Sequence, residues 1–257
     1  MTDAARWLEI EQHALAAWPA REVEAFAGWQ LRAMSGVSQR ANSAWTVQAT
    51  GTMGLAQRIA HVESFYRARG LTPSFQLGAQ SVPAGLDRAL AERGYAIASP
   101  VSVQIAHSRE VSSSPSPRGV RAEVEAELSD AWFELSGRRG RFADVQDVYR
   151  GLLTRLGARA RFAIAYVDER PAAVGLGVRD GRWLGVSSMF TLPGERGRGA
   201  ARAVLAALAA HAPEAATPDA PNVYLQVERE NLAALALYAR VGFVHHHAYH
   251  YRRALSG

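Results

Sequence analysis

The feature that most restricts the fold of this chain is segment 189–205, where an apolar run gives way to a loop of small residues and then to an alanine-rich stretch. The run predicts a strand that ends at Thr191, and residues 199–212 predict a helix. A loop that opens a helix leaves N–H groups unpaired at the positive end of the helix dipole, which favours an anion such as phosphate. The alternative is a tight strand-to-helix turn with exposed arginines.

The C-terminal half alternates strands and helices on both sides of this loop. We predict strands at 120–127, 161–167, 172–178, 183–191, 222–227 and 243–252, and helices at 130–136, 142–156, 199–212 and 232–241. Ser129 is the expected N-cap of the first helix. Alternation of this kind predicts an α/β (α+β) domain with a mixed sheet flanked by helices.

The N-terminal half ends at a Ser/Pro-rich segment, 108–118, whose composition is typical of a linker. The sequence therefore predicts an N-terminal domain at 1–107 and a second domain at 119–257. Within the first, we predict helices at 4–18, 54–69 and 84–93, and strands at 23–33, 43–49, 74–77 and 95–106.

A weak internal repeat relates the two halves. Strand 224–227 precedes a helix that ends in Gly242 and Phe243, and strand 74–77 precedes a helix that ends in Gly94 and Tyr95. The shared order of strand, helix, glycine, aromatic residue and strand predicts a tandem duplication, although the match is short and two residues out of step.

Two motifs in the C-terminal half resemble the signatures of the GCN5-related N-acetyltransferase (GNAT) superfamily. The loop matches Arg/Gln-x-x-Gly-x-Gly/Ala, and about twenty-five residues later the second signature is present in full. The matching positions are Arg196, Gly199 and Ala201, followed by Leu225, Val227, Asn231, Ala234, Leu237, Tyr238, Gly242 and Phe243. The resemblance covers about residues 119–253 and implies a GNAT fold, with a mixed, mostly antiparallel sheet and a degenerate GNAT-like N-terminal half in tandem.

The resemblance also implies the ligand. In the GNAT family the loop holds the pyrophosphate of acetyl-CoA, and the thioester lies between the strand before the loop and the strand before the second helix. The implied acetyl-CoA contacts in this chain are Met189, Phe190, Thr191, Arg196, Gly197, Arg198, Gly199, Ala200, Ala201, Asn231, Ala234 and Tyr238. Backbone N–H groups near Phe190 are expected to point at the thioester carbonyl, and Asn231 to bind pantetheine, cap the helix, or both.

Tyr238 stands where the family places its general acid. A phenol has an unperturbed pKa of about 10, so it stays protonated at neutral pH and can donate to the leaving sulfur. The alternative role for Tyr238 is a core aromatic ring beside Phe243. The general base is the weakest assignment: Glu228 is the choice, and an ordered water is an alternative. The other residues considered as bases are Glu195, Glu230, His211 and the histidines of 245–247.

The N-terminal half lacks these groups. Aligning Gly94 with Gly242 puts Leu90 opposite Tyr238 and Pro83 opposite Asn231, and segment 51–56, a relic of the loop, has no arginine where Arg196 stands. We therefore expect this half not to bind CoA well.

Composition excludes several classes of protein. All 29 basic residues are arginine, which a GC-rich genome explains and which also suits phosphate, and the absence of lysine rules out a Lys-containing P-loop. Arginines are spread along the chain, which argues against a nucleic-acid binder. No cysteine is present, so disulfides and thiolate sites are excluded. No apolar run is long enough to span a membrane, and no signal peptide is evident, so a cytoplasmic location is expected.

Histidines and loop arginines have weaker interpretations. The run His245, His246 and His247 could suggest a metal, but strand alternation divides it between two faces, so we predict no metal site. Arg138, Arg139 and Arg141 are compatible with an acidic acceptor, with the 3′-phosphate of CoA, or with an exposed loop.

Together these features predict an acetyl-CoA-dependent N-acetyltransferase that acts on a primary amine of a small molecule or peptide by direct attack in a ternary complex. The alternative is a non-catalytic acyl-CoA sensor. The sequence fixes neither the acceptor, nor the acyl-chain preference, nor whether the chain forms a homodimer.

Overall fold

A computed structural model describes residues 3–140, 142–215, 217 and 220–255. Contacts divide the described residues into two compact units. The first comprises the ranges Met1–Ala17, Val103–Val227 and Asn231–His247, and the second comprises Trp18–Ser102, Glu228–Glu230 and Ala248–Gly257. These units differ from the sequence-predicted domain ranges, because the N-terminal helix groups with the C-terminal half and the last strand passes from one unit to the other.

The first unit contains most of the predicted α/β half. Its helices are α1 (Asp3–Ala17), α4 (Ser108–Ser112), α5 (Asp130–Phe133), α6 (Gln146–Leu156), α7 (Ala200–Ala209) and α8 (Leu232–Arg240). Its strands are β6 (Val120–Glu125), β7 (Ala160–Val167), β8 (Arg170–Asp180), β9 (Trp183–Thr191) and β10 (Val223–Glu228), with parts of β5 (Ala96–Ala106) and β11 (Val244–Arg253). A π-helical turn, Glu134–Arg138, follows α5.

The sheet of the first unit runs in the order β5-β10-β9-β8-β7-β6. Strands β6 to β9 are antiparallel neighbours, whereas β10 pairs with β9 in parallel. The alanine-rich helix α7 buries Ala203, Val204 and Leu208 in the main core. Alanine is the best helix former, and its small side chain lets the helix pack closely on the sheet.

The segment predicted as a linker, 108–118, is only partly one, because residues Ser108–Ser112 form helix α4. Val111 on this helix is 1% exposed and belongs to the main core, and α4 packs on α7. A Cβ added to Gly242 would come 2.5 Å from the carboxyl carbon of Glu110. The linker prediction was wrong for α4. A helix of about one turn with a single buried valine shows no apolar periodicity, so the serine-rich sequence around it does not reveal the helix.

The second unit is built from β1 (Glu22–Phe26), β2 (Trp29–Ala33), β3 (Ala44–Trp45), β4 (Ser74–Gly78), α2 (Leu55–Arg67) and α3 (Leu86–Glu92), with parts of β5 and β11. Its strands lie in the order β1-β2-β3-β4-β11, and only the β3–β4 pair is parallel. Trp29, Phe75 and Tyr66 are central to its separate core.

Two predicted strands of this unit differ from the observed ones. Residues 23–33 form a hairpin rather than one strand, because Ala27 and Gly28 both have positive φ and turn the chain. Positive φ at both central residues is the geometry of a type I′ hairpin turn. The strand predicted at 43–49 is limited to Ala44–Trp45. None of the described helices is long and apolar enough to cross a lipid bilayer.

Candidate active site

A splay between two parallel strands forms the centre of the candidate site. Pairing of β10 with β9 covers three residue pairs and stops at Leu225 opposite Val186. Strand β9 nevertheless continues to Thr191 and β10 to Glu228. The strands therefore separate beyond Val186, and their backbone groups on the facing edges are left for another partner.

The separation coincides with a β-bulge in β9. The register with β8 shifts between Val174 and Leu176, so Ser188 and Met189 together face Gly175. Ser188 has φ +50°, which is uncommon for a residue with a side chain. The side chain of Met189 turns into the core, since a Cβ on Gly175 would come 2.6 Å from its sulfur.

Beyond the bulge, the backbone direction of β9 can be derived from one hydrogen bond. The N–H of Leu192 donates to the carbonyl of Ala172 on the β8 side at 2.9 Å. Alternate N–H groups of an antiparallel strand point to the same neighbour, so that of Phe190 also points to β8. The N–H next to Phe190 that faces the splay is therefore the one of Thr191.

The predicted anion loop leads from β9 into α7. Gly199 is the N-cap residue with φ +89° and offers no side-chain cap. The first bond of the helix runs from the N–H of Ala203 to the carbonyl of Gly199, and no acceptor among the described residues is found for the N–H groups of Ala200, Ala201 and Arg202. Three amides at the positive end of a ten-residue helix are thus available to an anion.

The two loop arginines differ in their partners. Arg198 donates to Glu195 at 2.9 Å and also to Asp168, and this contact with Asp168 holds the pKa of Arg198 above its ordinary value. Arg196 is exposed, and within the described ranges no carboxylate or carbonyl partner is found for its side chain. Of the two, Arg196 is the guanidinium that is free to bind a phosphate.

Asn231 is the N-cap of helix α8, and its side chain accepts a hydrogen bond from the N–H of Ala234 at 3.1 Å. Its predicted capping role is therefore confirmed. Ala234 packs against the main core.

Tyr238 lies on the buried side of α8 with 8% of its surface exposed. Its ring centroid is 5.8 Å from that of Phe243, as expected for the core interpretation. Within the described part of the chain its hydroxyl has no hydrogen-bond partner, and burial raises the pKa of Tyr238 to about 12. Because burial penalises the charged phenolate, the phenol keeps its proton and remains a donor.

The residues considered as bases are dispersed. Glu228 is the exposed last residue of β10 and is grouped with the second unit. Glu195 is occupied by Arg198. His247 contacts buried Glu11 through Nε2 at 2.9 Å and His246 through Nδ1 at 2.7 Å. No set of three or more His, Asp or Glu side chains in the described residues is arranged to hold a metal.

The arginines before α6 are engaged at the surface. Arg138 and Arg139 both pair with Glu134, each at 3.2 Å. Arg141 lies outside the described residues.

One hydroxyl cluster at the bulge was missed by sequence reasoning. The Tyr149 hydroxyl donates to Oγ of Ser188 at 2.8 Å and lies 2.9 Å from Oγ of Ser136. Tyr149 is fully buried on α6, with its ring stacked on Phe142 at 4.0 Å. The only local signal was a tyrosine among the apolar positions of a helix, which does not reveal its partner 39 residues away.

Comparison with known proteins agrees with this geometry. A GCN5-related N-acetyltransferase from Kribbella flavida superposes with a TM-score of 0.69 at 18% identity, over 100% of this chain and 97% of that one. A tandem GNAT protein from the clavulanic acid biosynthesis pathway superposes with a TM-score of 0.62 at 15% identity, covering 96% of this chain and 88% of the other. The fold is therefore that of the GNAT superfamily, as predicted.

The particular family follows from sequence. A model of the family described as "Probable histone acetyltransferase Rv0428c C-terminal" matches residues 4–252. The uncharacterized N-acetyltransferase YobR of Bacillus subtilis is 32% identical over 247 residues, which is 95% of this chain and 97% of the relative. The chain belongs to this family of GNAT N-acetyltransferases.

Proposed function

We propose that this protein transfers an acetyl group from acetyl-CoA to a primary amine by direct attack in a ternary complex. The observation that carries the proposal is the splay of β9 from β10 beyond Val186. The uncapped start of α7 follows one of the splayed strands, and α8 with buried Tyr238 follows the other. The enzyme is thus an acyltransferase that transfers an acyl group other than an aminoacyl group.

The cofactor end is supported by charge. Acetyl-CoA carries a pyrophosphate. The N–H groups of Ala200 and Ala201 and the guanidinium of Arg196, which have no partner among the described residues, supply donors and positive charge. Hydrogen bonds from a guanidinium to phosphate are about twice as strong as neutral ones. Met189 and Thr191 lie at the end of β9, on one side of the proposed thioester position. Asn231 and Ala234 lie at the start of α8, on the other side.

In the reaction, the amine nitrogen forms a bond to the acyl carbon while the carbon–sulfur bond breaks. The amine gives up a proton to water or another base, and the CoA thiolate gains one. Burial raises the pKa of Tyr238 to about 12, above that of the CoA thiol, so full proton transfer from the phenol to the thiolate is uphill. Tyr238 therefore acts mainly as a hydrogen-bond donor to the developing thiolate.

Assignment of the base stays a proposal. Glu228 is the last residue of the strand that borders the splay and is exposed, so a water molecule can relay a proton from the amine to its carboxyl group.

We assign catalysis to residues 119–257, and we infer that residues 1–107 are a degenerate GNAT-like copy that is not catalytic. Both halves close a helix with the same bond, from the N–H of Tyr95 to the carbonyl of Leu90 and from that of Phe243 to Tyr238, after Gly94 and Gly242 with positive φ. This six-residue closure is the Schellman motif. In the first copy, Leu90 stands at the position that Tyr238 has in the second.

The loop of the N-terminal half supports the loss of CoA binding there. Buried Arg58 donates to the carbonyls of Met53, Thr50 and Ala27 at 2.7–3.0 Å. Its guanidinium therefore binds the carbonyls of the loop before α2 and is not available to a phosphate.

The acceptor class has two candidates. The family description names a histone acetyltransferase, which would favour the lysines of a basic protein. This chain itself carries a net charge of +5, which disfavours association with a basic partner at long range. We therefore favour a small-molecule amine, and a lysine-rich peptide assayed beside a panel of small amines distinguishes the two.

An enzyme and a sensor respond differently to Tyr238→Phe. We expect the variant to bind acetyl-CoA like the wild type but to release CoA thiol at least 10²-fold more slowly with an amine, since loss of one hydrogen-bond donor to a developing charge costs about 10²–10³-fold. Equal binding with no thiol release by either protein, over the whole amine panel, would support the sensor.

A further inference from the structure

The hydroxyl cluster at the β9 bulge has a defined direction of proton donation. A phenol owns one proton. Tyr149 gives its proton to Oγ of Ser188, so the 2.9 Å contact between Ser136 and Tyr149 must be a donation from Ser136. The chain of bonds therefore runs from Ser136 through Tyr149 to Ser188.

In the described part of the protein, no hydrogen-bond acceptor is found for the proton of the Ser188 hydroxyl. Tyr149 donates to Ser188 and receives no bond from it, and no other acceptor for the Ser188 hydroxyl is found among the described residues. Ser188 is half-buried rather than free in solvent. A half-buried donor with a fixed orientation is available to a ligand.

The position of Ser188 indicates which ligand group its hydroxyl would contact. Ser188 is the second residue after Val186, where pairing with β10 ends, and it forms the bulge at φ +50°. It is thus at the mouth of the splay, three residues before Thr191, whose N–H faces the same gap.

We propose that Ser188 is a catalytic residue whose hydroxyl donates to the carbonyl oxygen of the acyl group, and that Tyr149 and Ser136 position it. The inference rests on the proposed acyl transfer. As the amine attacks, the carbonyl carbon becomes tetrahedral and its oxygen gains negative charge until the carbon–sulfur bond breaks. A pre-oriented donor stabilises that oxygen more than the ground-state carbonyl.

The orientation of Ser188 is held by rigid surroundings. Tyr149 is fully buried, and the rings of Phe142 and Phe133 lie approximately parallel to its ring at centroid distances of 4.0 and 6.2 Å. Donating Ser136 is 3% exposed. Little reorganisation is then needed when the charge develops.

Steady-state kinetics of Ser188→Ala test the proposal, with acetyl-CoA and the amine that the wild type uses fastest. We expect kcat to fall about 10²–10³-fold, as for removal of one oxyanion donor, with the KM and Kd for acetyl-CoA unchanged. Tyr149→Phe should lose about tenfold, because Ser188 keeps its hydroxyl but loses its orientation. The double variant should be no slower than Ser188→Ala.

Two variants serve as controls. Ser187→Ala removes the neighbouring hydroxyl, which lies outside the cluster, and should leave kcat within about twofold. Ser188→Gly removes the hydroxyl while relieving the positive φ, so it decides the matter if the alanine variant does not fold.

A kcat for Ser188→Gly or Ser188→Ala within about twofold of the wild type would overturn the inference and leave the proposed function intact. Additive losses in the double variant, accompanied by weaker acetyl-CoA binding, would overturn it in favour of a structural role. A wild type that binds no acetyl-CoA would instead contradict the proposed function.

Discussion

Gly199 faces the ring of Pro117 so closely that a Cβ at position 199 would come 2.4 Å from Cγ of the proline. The residue that opens α7 therefore packs directly against the segment that enters β6. Gly197 is only two residues earlier and also at positive φ, but no atom of the described residues lies within 4 Å of such a Cβ. The pair forms a matched test of how the loop is held.

Gly199→Ala should destabilise the protein by more than Gly197→Ala and should abolish binding of acetyl-CoA. Both changes strain a left-handed backbone, at a cost of about 1–3 kcal/mol, but only the first also displaces Pro117 and the start of α7. Urea unfolding and acetyl-CoA titration of both variants check this. Equal losses in the two variants would show that the contact with Pro117 is unimportant.

Because the pKa of Tyr238 is raised in the folded protein, we expect the free energy of unfolding to fall at alkaline pH. Its folded pKa of about 12 lies above an unfolded value of about 10, so its contribution is fully present below pH 10 and is lost as pH rises through 12. Relative to Tyr238→Phe, the wild type should lose roughly 1 kcal/mol by pH 11. Parallel urea unfolding at pH 8 and pH 11 measures the difference.

The same comparison at neutral pH gives a second expectation. The Tyr238 hydroxyl has no partner in the described residues, so the phenylalanine variant should be within about 0.5 kcal/mol of the wild type at pH 8. A large loss at pH 8 would mean that the hydroxyl has a structural partner, and would weaken its assignment as a donor to sulfur.

Asn231→Ala should destabilise the protein by about 1 kcal/mol, because the N–H of Ala234 loses its cap. Asn231→Asp keeps an acceptor at the helix start and should restore the stability. If acetyl-CoA affinity falls in the alanine variant and returns in the aspartate variant, the cap alone accounts for it. Affinity lost in both variants indicates a direct contact of the amide with the cofactor.

The sequence was sufficient for features that depend on local pattern. Strand β9 has the predicted bounds 183–191, and Ser129 caps α5 by accepting from the N–H of Trp132 at 3.4 Å. Alternation and capping act over a few residues, so one sequence reveals them.

Features that depend on distant residues were not predictable. Tyr149 and Ser188 meet across 39 residues, and Pro117 meets Gly199 only because α7 packs back on the sheet. Sequence alone also could not distinguish the two loop arginines, since the partners of Arg198 include Asp168, which lies 30 residues before it. Each of these contacts is created by the tertiary fold.

Isothermal titration with acetyl-CoA tests whether the α7 loop binds the pyrophosphate of this ligand. We predict micromolar binding by the wild type, a loss of at least tenfold in Arg196→Ala, and little change in the matched Arg198→Ala, whose guanidinium is already paired. If the wild type binds neither acetyl-CoA nor CoA nor longer acyl-CoAs, the loop is only a strand-to-helix turn and the assignment of a CoA site is wrong.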